Sequence, residues 1–383
     1  MPGSVGEYID LNDTKILIHL QILRADGKSL DATDKVAFVN LPISSVFQDV
    51  FLSIGDKQIE GGQHCYPYNG YLSSLLQFHP SAKKTHMLAW GWNEDEPGKF
   101  NDETNAGYAY RNKETANSKE WELQGPLFLD LTRQSRFLLP QTNLRFKFMQ
   151  AKPEFVLQRV AGTTDYKYRI TKAILYIRRM RVKESVISGH NRGLKSHNAV
   201  YNTNHVDLTS FTITKGNRDF IKDRLFTSQT PKLLVVGFLD HAAFNGDISK
   251  NPFDFQHFDL NKIGLYRGGE LVPGQILRPD FQSGHFIHSY ANTMNVLNFV
   301  NTDDSNGLTP DHFKDGYTLF CFDLTPDAQC NAPYRSIHYN SSLRLEMSFN
   351  KALTKTISVL LFAIFDSKLE ITELRDCILS YNR

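Results

Sequence analysis

Two distant stretches of this chain carry the same short pattern. Phe51–Gly61, FLSIGDKQIEG, aligns with Gly264–Gly274, GLYRGGELVPG. Leu52 matches Leu265, Gly55 matches Gly268, Ile59 matches Val272 and Gly61 matches Gly274. In the second copy, Ile263 and Leu265 on one side and Leu271-Val272 on the other flank Gly268-Gly269, which is a hairpin signal. A glycine in both copies fits a turn that needs positive φ. Three further blocks follow in the same order. YLSSLLQF at Tyr71 resembles NTMNVLNF at Asn292, and each is apolar-periodic enough for a small helix. LFLDLT at Leu127 resembles FCFDLT at Phe320, and NLRFKF at Asn143 resembles SLRLEM at Ser342. One such match is ordinary strand grammar. Four in one order argue for two copies of one domain, side by side.

The chain has 383 residues, long for one core and comfortable for two. Its net charge of +2 advertises neither nucleic acid nor a membrane surface. The longest mostly apolar stretch, Ile357–Phe365, is strand-sized and far short of a membrane span. MPGSVGEYIDL shows no basic-then-apolar signal pattern. Cys65, Cys321, Cys330 and Cys377 are scattered without a CxxC, the usage of reduced thiols rather than a disulfide framework.

Strand-like segments recur along both halves. Glu7–Leu11, Lys15–Leu23, Val36–Leu41 and Val46–Ile54 open the first, and Tyr168–Val182 closes it with basic residues Arg178, Arg179, Arg181 and Lys183. That basic run reads either as a nucleic-acid contact or as a solvated strand end, and the near-neutral total charge favours the second. Asn93–Lys119 is rich in Asn, Asp, Glu, Gly and Lys and reads as an exposed excursion. Shortening it is expected to leave the fold intact. Asn301–Gly316 is its polar counterpart in the second half. The polar stretch 188–204 reads as a linker between an N-terminal domain, 1–187, and a C-terminal domain, 205–383. Many short strands, Gly/Pro/Asn turns and one short helix per half indicate an all-β fold. The best fit is two tandem eight-stranded jelly rolls with short helices and long loops, whose cores the Phe and Tyr content can fill.

Motifs of chemistry are sparse. His285 and His288 lack a clear third ligand, and Asp240-His241 more often caps a turn than binds metal. Glu94-Asp95-Glu96 and Asp303-Asp304 are acidic loop clusters of the kind that are usually solvated. No GxSxG, P-loop, GxGxxG or HExxH is present. Asn340 fits a glycosylation acceptor pattern that means little without a secretory signal. The expectation is a non-enzyme with no catalytic, metal or cofactor-binding residues.

Eight segments carry a family resemblance: YIDLNDTKI at Tyr8, YPYNGYLSSLL at Tyr66, GPLFLDL at Gly125, FTITKGNRDFIKDRLF at Phe211, KLLVVGFLDHAAFNG at Lys232, NPFDFQHFDLNKIGLY at Asn251, LRPDF at Leu277 and GYTLFCFDLTPD at Gly316. In number and order they resemble the double jelly-roll major capsid proteins of tailless icosahedral DNA viruses. Within these, the chain is most similar to capsid-like proteins of Polinton/Maverick and adintovirus-type elements in animal genomes, the adenovirus-like (hexon) lineage. Only a short leader precedes the YIDL-like strand, where such families often carry additional residues. The resemblance implies a homotrimer of two-barrel subunits, a pseudo-hexagonal capsomer tiling a virion capsid and made inside the host cell. The implied partners are further copies of the chain and a minor or penton capsid protein, without nucleic-acid sequence recognition or a membrane span. Trp90, Trp92, Tyr108 and Tyr110 in the first long loop are candidate trimer contacts. Two alternatives stay open: a glycan hydrolase, which needs paired carboxylates in an interdomain cleft, and a glycan-binding protein using exposed loop aromatics.

Overall fold

The computed structural model describes residues 1–227, 229–332, 334–335 and 341–380. In the first half, β1 (Glu7–Arg24) pairs along its length with β8 (Tyr166–Arg181), and β5 (Trp121–Pro126) pairs on its other side. The facing sheet has the order β4 (Lys57–Glu60), β3 (Phe47–Ile54), β6 (Leu144–Gln150). Two short strands, β2 (Val36–Phe38) and β7 (Leu157–Arg159), pair separately.

The second half repeats this plan and completes it. Its strands are β9 (Ala199–Ile213), β10 (Asp219–Lys222), β11 (Leu233–Asp240), β12 (Leu260–Arg267), β13 (Glu270–Leu277), β14 (Leu319–Asp323), β15 (Leu343–Phe349) and β16 (Ile357–Ile371). One sheet runs β9-β16-β11-β14 and the other β10-β15-β12-β13. First pairs with last and second with seventh, which is the jelly-roll order. A short β17 (Cys377–Leu379) pairs with the far end of β16. β11 is buried throughout and β16 nearly so, as their near-continuous apolar runs require.

The repeated hairpins match in turn conformation as well as in sequence pattern. Gly55 between β3 and β4 and Gly268 between β12 and β13 both have φ 58°, and Gly61 and Gly274 have φ 102° and 96°. The short helices also fall where the repeat puts them, at Tyr66–Gln77 and Ile287–Val296. The polar stretch between the halves is structured: Glu184–Leu194 is a helix, and β9 already starts at Ala199.

The first barrel departs from eight full strands, for a local reason. Leu127–Leu131, the counterpart of β14, forms no ladder. Its main-chain donors go to side chains instead: Phe128 N–H to the Tyr66 hydroxyl, and Asp130 and Leu131 N–H to the two Glu60 oxygens. Donors satisfied this way have no need of a strand partner.

Asn93–Lys119 is also not the exposed loop that its composition suggests. It contains the helix Ala106–Thr115 and buries Asp95, Phe100, Asn105, Tyr108, Arg111 and Thr115. Its buried polar residues bond to one another and to the main chain. One apolar cluster runs through both halves, from Tyr8 to Ile371, and a second fills the C-terminal barrel.

Candidate assembly surface and the seam between the barrels

The helix Tyr66–Gln77, with a proline in its first turn, carries the aromatic side of the seam. Gly70 lets it lie against Ser44, where a β-carbon would collide. From the other barrel, the turn at Asn251, whose side chain accepts from Phe253 N–H at 2.9 Å, delivers Phe253 and Phe255. Tyr71 stacks flat on Phe253 with ring centroids 4.1 Å apart, and Trp92 stacks on Tyr71 at 5.5 Å. Tyr68 meets Phe244, Phe253 and Phe255, and its hydroxyl donates to Pro252 O. Each aromatic pair contributes about 0.5–1.5 kcal/mol beyond its area.

Behind this stack lies a buried ion pair. Arg111 donates to Phe38 O, Asn93 O and Asp95 Oδ1 at 2.7–2.8 Å, and both charged side chains are 0% exposed. Asn105 of the first half and Asn251 of the second both donate to the Asp95 carboxylate, and Tyr317 donates to Asp95 O. With all these bonds made, the pair offsets its own desolvation; with one partner removed, it cannot.

A second polar seam lies at Glu60. Its two oxygens accept Asp130 N–H at 2.6 Å and Leu131 N–H at 2.8 Å. Asp130 in turn holds the second barrel through His205 Nδ1 at 2.7 Å and Val206 N–H at 3.2 Å. Burial, and then the charge of Asp130, push the Glu60 carboxyl up to about 8. A cavity of about 400 Å³ opens beside it, lined from both halves by Asp130, Arg133, Asn204, Lys232 and Asp366. Its carboxylates are engaged, Asp130 as above and Asp366 with Lys232 at 3.3 Å. Asp130 ties the barrels together, while the Asp366–Lys232 pair lies within the second.

The four loop aromatics separate. Trp92 and Tyr108 are 1% and 2% exposed, because the loop folds back on the barrel, so their side chains offer no surface to another subunit. Trp90 is half-buried against Phe78 and Phe128. Tyr110, on the helix Ala106–Thr115, is exposed. Three other apolar side chains, unmarked by any motif, are exposed on segments that hydrogen bonds draw together. Val5 and Leu374 are 80% and 82% exposed, and Val186, on the inter-barrel helix, is exposed as well. Tyr8 bonded to His190, and Arg375 bonded to Asn191 and Pro140 O, bring these segments together.

The basic run of β8 pairs with acids of β1 and the turn inside it: Arg179 and Arg181 with Glu7 at 3.2 and 2.9 Å, and Arg178 near Asp10 and Asp13. The histidine pairs do structural work. His288 contacts Gln275, His241 contacts Ser358 and Asn245, and Asp240 caps the helix at Ala242 while meeting Lys250 and Lys355. Among the described residues no three His, Cys, Asp or Glu side chains gather as a metal site, and no helix is long and apolar enough to cross a membrane. Asn340 lies outside the described residues. Cys65, Cys321 and Cys330 are buried, and burial raises all three thiols.

No protein-family model matches this chain. An uncharacterized protein of Caenorhabditis elegans is 24% identical over 351 residues, 88% of this chain and 82% of its own. Among solved structures, a chain of the Sputnik virophage cryo-EM structure aligns with 99% of this chain and 84% of its own, with a TM-score of 0.69 and 14% identity. The mavirus major capsid protein aligns with 99% of this chain and 85% of its own, at 0.52 and 12%. The Faustovirus major capsid protein aligns with 97% of this chain and 86% of its own, at 0.54 and 8%. The chain has the double jelly-roll fold of these viral proteins.

Proposed function

We propose that this double jelly-roll chain is a major capsid protein, forming trimeric, pseudo-hexagonal capsomers of an icosahedral virus or virus-like element. The observation that carries the reading is the alignment with viral capsid chains over nearly the whole length of both partners, through both barrels and the seam between them. Two similar barrels fused in one chain give a three-fold trimer six similar barrels around its axis. That shape tiles a near-hexagonal lattice, while the closed symmetry stops filament growth. The C. elegans relative fits a gene of this kind carried in an animal genome, in keeping with Polinton-like elements. In this reading the first barrel ends with β8, the second begins with β9, and the helix Glu184–Leu194 joins them.

The glycan readings lose support at the seam, where the paired carboxylates are spent on main-chain N–H groups and on the opposite barrel. Tyr110 and the Val5, Val186 and Leu374 end are the proposed subunit contacts, and the other partner is a minor or penton capsid protein. Light scattering of the purified protein is expected to give a trimer, and Tyr110→Ala with Leu374→Ser to weaken it. Electron microscopy should then show six-lobed particles burying more than the ~1,600 Å² of a standard interface. A chain that stays monomeric at high concentration would sink the capsomer reading. A trimer untouched by the two substitutions would sink only the choice of contacts.

A further inference from the structure

The cavity of about 400 Å³ between the barrels has an uneven inventory of hydrogen-bonding groups. Among the described residues, the cationic side chains of Arg133, Lys232 and Arg335 line it, against the carboxylates of Asp130 and Asp366. Its acceptors are largely spent. Asp130 takes His205 Nδ1 at 2.7 Å and Val206 N–H at 3.2 Å, one on each oxygen. Asp366 meets Lys232 at 3.3 Å. Asn204 Oδ1 accepts from Lys232 Nζ at 2.8 Å, and Gln134 Oε1 accepts Arg136 N–H at 2.7 Å.

The donors are not spent. Arg133, from the first half, is exposed. Its Nη1 donates to Ser73 Oγ at 3.2 Å, and its guanidinium lies 5.3 Å from the Phe128 ring centroid. Arg335, from the second half, is also exposed and donates from Nη2 to Ser367 O. Among the described residues neither arginine forms an ion pair with an acid. A guanidinium carries five N–H donors, so most of each fork is open.

A concavity with satisfied acceptors and open donors on both halves matches an acceptor-rich anion. A carboxylate is planar and fills one guanidinium fork, whereas the tetrahedral oxygens of a phosphate can meet two. We propose that this cavity binds a phosphate group, gripped by Arg133 from the first barrel and Arg335 from the second, with Lys232 adding positive charge. Asp130 and Asp366 oppose the anion, and their own bonds to His205, Val206 and Lys232 blunt that opposition. The volume leaves room for a small organic body on the phosphate. Tyr334, also in the lining, is 55% exposed and held through its hydroxyl on Asp327 at 2.7 Å, so it offers that body a fixed aromatic face. A ligand gripped from both halves stabilises their folded arrangement by mass action.

Calorimetric titration and thermal melting of the purified full-length chain test this, with sodium phosphate as the probe and sodium chloride at matched ionic strength as the blank. Phosphate is expected to bind with a millimolar or tighter dissociation constant and to raise the melting midpoint above the blank. Arg133→Gln and Arg335→Gln should each weaken binding at least about tenfold, the loss of a charge-assisted hydrogen bond. Arg145→Gln, an exposed arginine on β6 outside the cavity, should leave it unchanged. A parallel titration with ATP separates the two sources of such a group. Tighter binding of ATP, displaced by phosphate, identifies a phosphate ester, and tighter binding of phosphate identifies the free ion. Either supports the site. No heat and no midpoint shift with either probe overturns the inference. So does unchanged affinity in both cavity variants, or an equal loss in Arg145→Gln, which belongs to diffuse surface charge. Both cavity arginines are exposed, and the second variant decides if the first fails to fold. The outcome is independent of the capsid reading, since the cavity is lined within one chain.

Discussion

Asp95 and Arg111 sit in the most polar stretch of the chain and are nonetheless sealed inside it. Each has a full set of partners, so the test of their worth is to remove one side only. Arg111→Met leaves a buried carboxylate with amide donors and no counter-charge. It is expected to lower stability by about 3–5 kcal/mol, read as a fall in the denaturant midpoint. A loss under ~1 kcal/mol would mean that water reaches Asp95 in the variant. Glu60 makes a prediction with a sign in pH. Its folded value of about 8 lies above its ordinary 4.5. The stability held by the neutral carboxyl is therefore complete below about pH 4.5 and is lost as pH rises through about 8. The thermal midpoint of the wild type should fall between about pH 4.5 and about pH 8 and level off above it. Glu60→Gln, neutral throughout, should flatten that fall, while starting lower because one main-chain N–H loses its acceptor. Equal slopes in the two proteins would remove Glu60 as the source.

The elements differ in how much of them the sequence displays. The paired hairpins are legible because their turn chemistry is local: a glycine at positive φ between apolar strands needs no distant partner. β11 and the first part of β16 are legible from near-continuous apolar runs. What stayed hidden is whatever depends on a partner far along the chain. Leu127–Leu131 has strand composition, but Glu60 and Tyr66 take its donors. Asn93–Lys119 has loop composition, but Asp95, Asn105 and Arg111 satisfy one another. Composition reports that residues are polar and cannot report that their partners are also protein. Trp92 and Tyr108 followed the same logic, being placed outside because their neighbours in sequence are polar. The corrected element makes the opposite forecast from the composition. Replacing residues 100–115 with a short Gly-Ser linker should abolish soluble folded protein, because Phe100, Tyr108 and Arg111 leave with it. Recovery of a folded chain with a wild-type circular-dichroism spectrum would show that the barrel closes without them.

At the scale of the whole molecule, the two barrels share an interior. The cluster that starts at Tyr8 continues to Ile371, and Tyr71, Trp92 and Phe253 form one stack across the boundary. Neither half is then complete alone. The first 198 residues, expressed by themselves, should be insoluble or expanded, whereas the intact chain should melt in one transition. A well-dispersed amide spectrum from the isolated first half would argue for independent domains. The same sharing sets a schedule for synthesis. The carbonyl that receives the Tyr68 hydroxyl belongs to Pro252, 184 residues downstream. At about 5–20 residues per second, a ribosome takes roughly 10–40 s to supply it. Through that interval the Tyr68–Tyr71 face is finished and uncovered on every nascent chain. On a polysome, where many chains pass through the same interval together, the face most exposed to its neighbours is the one that will later be the centre of the subunit.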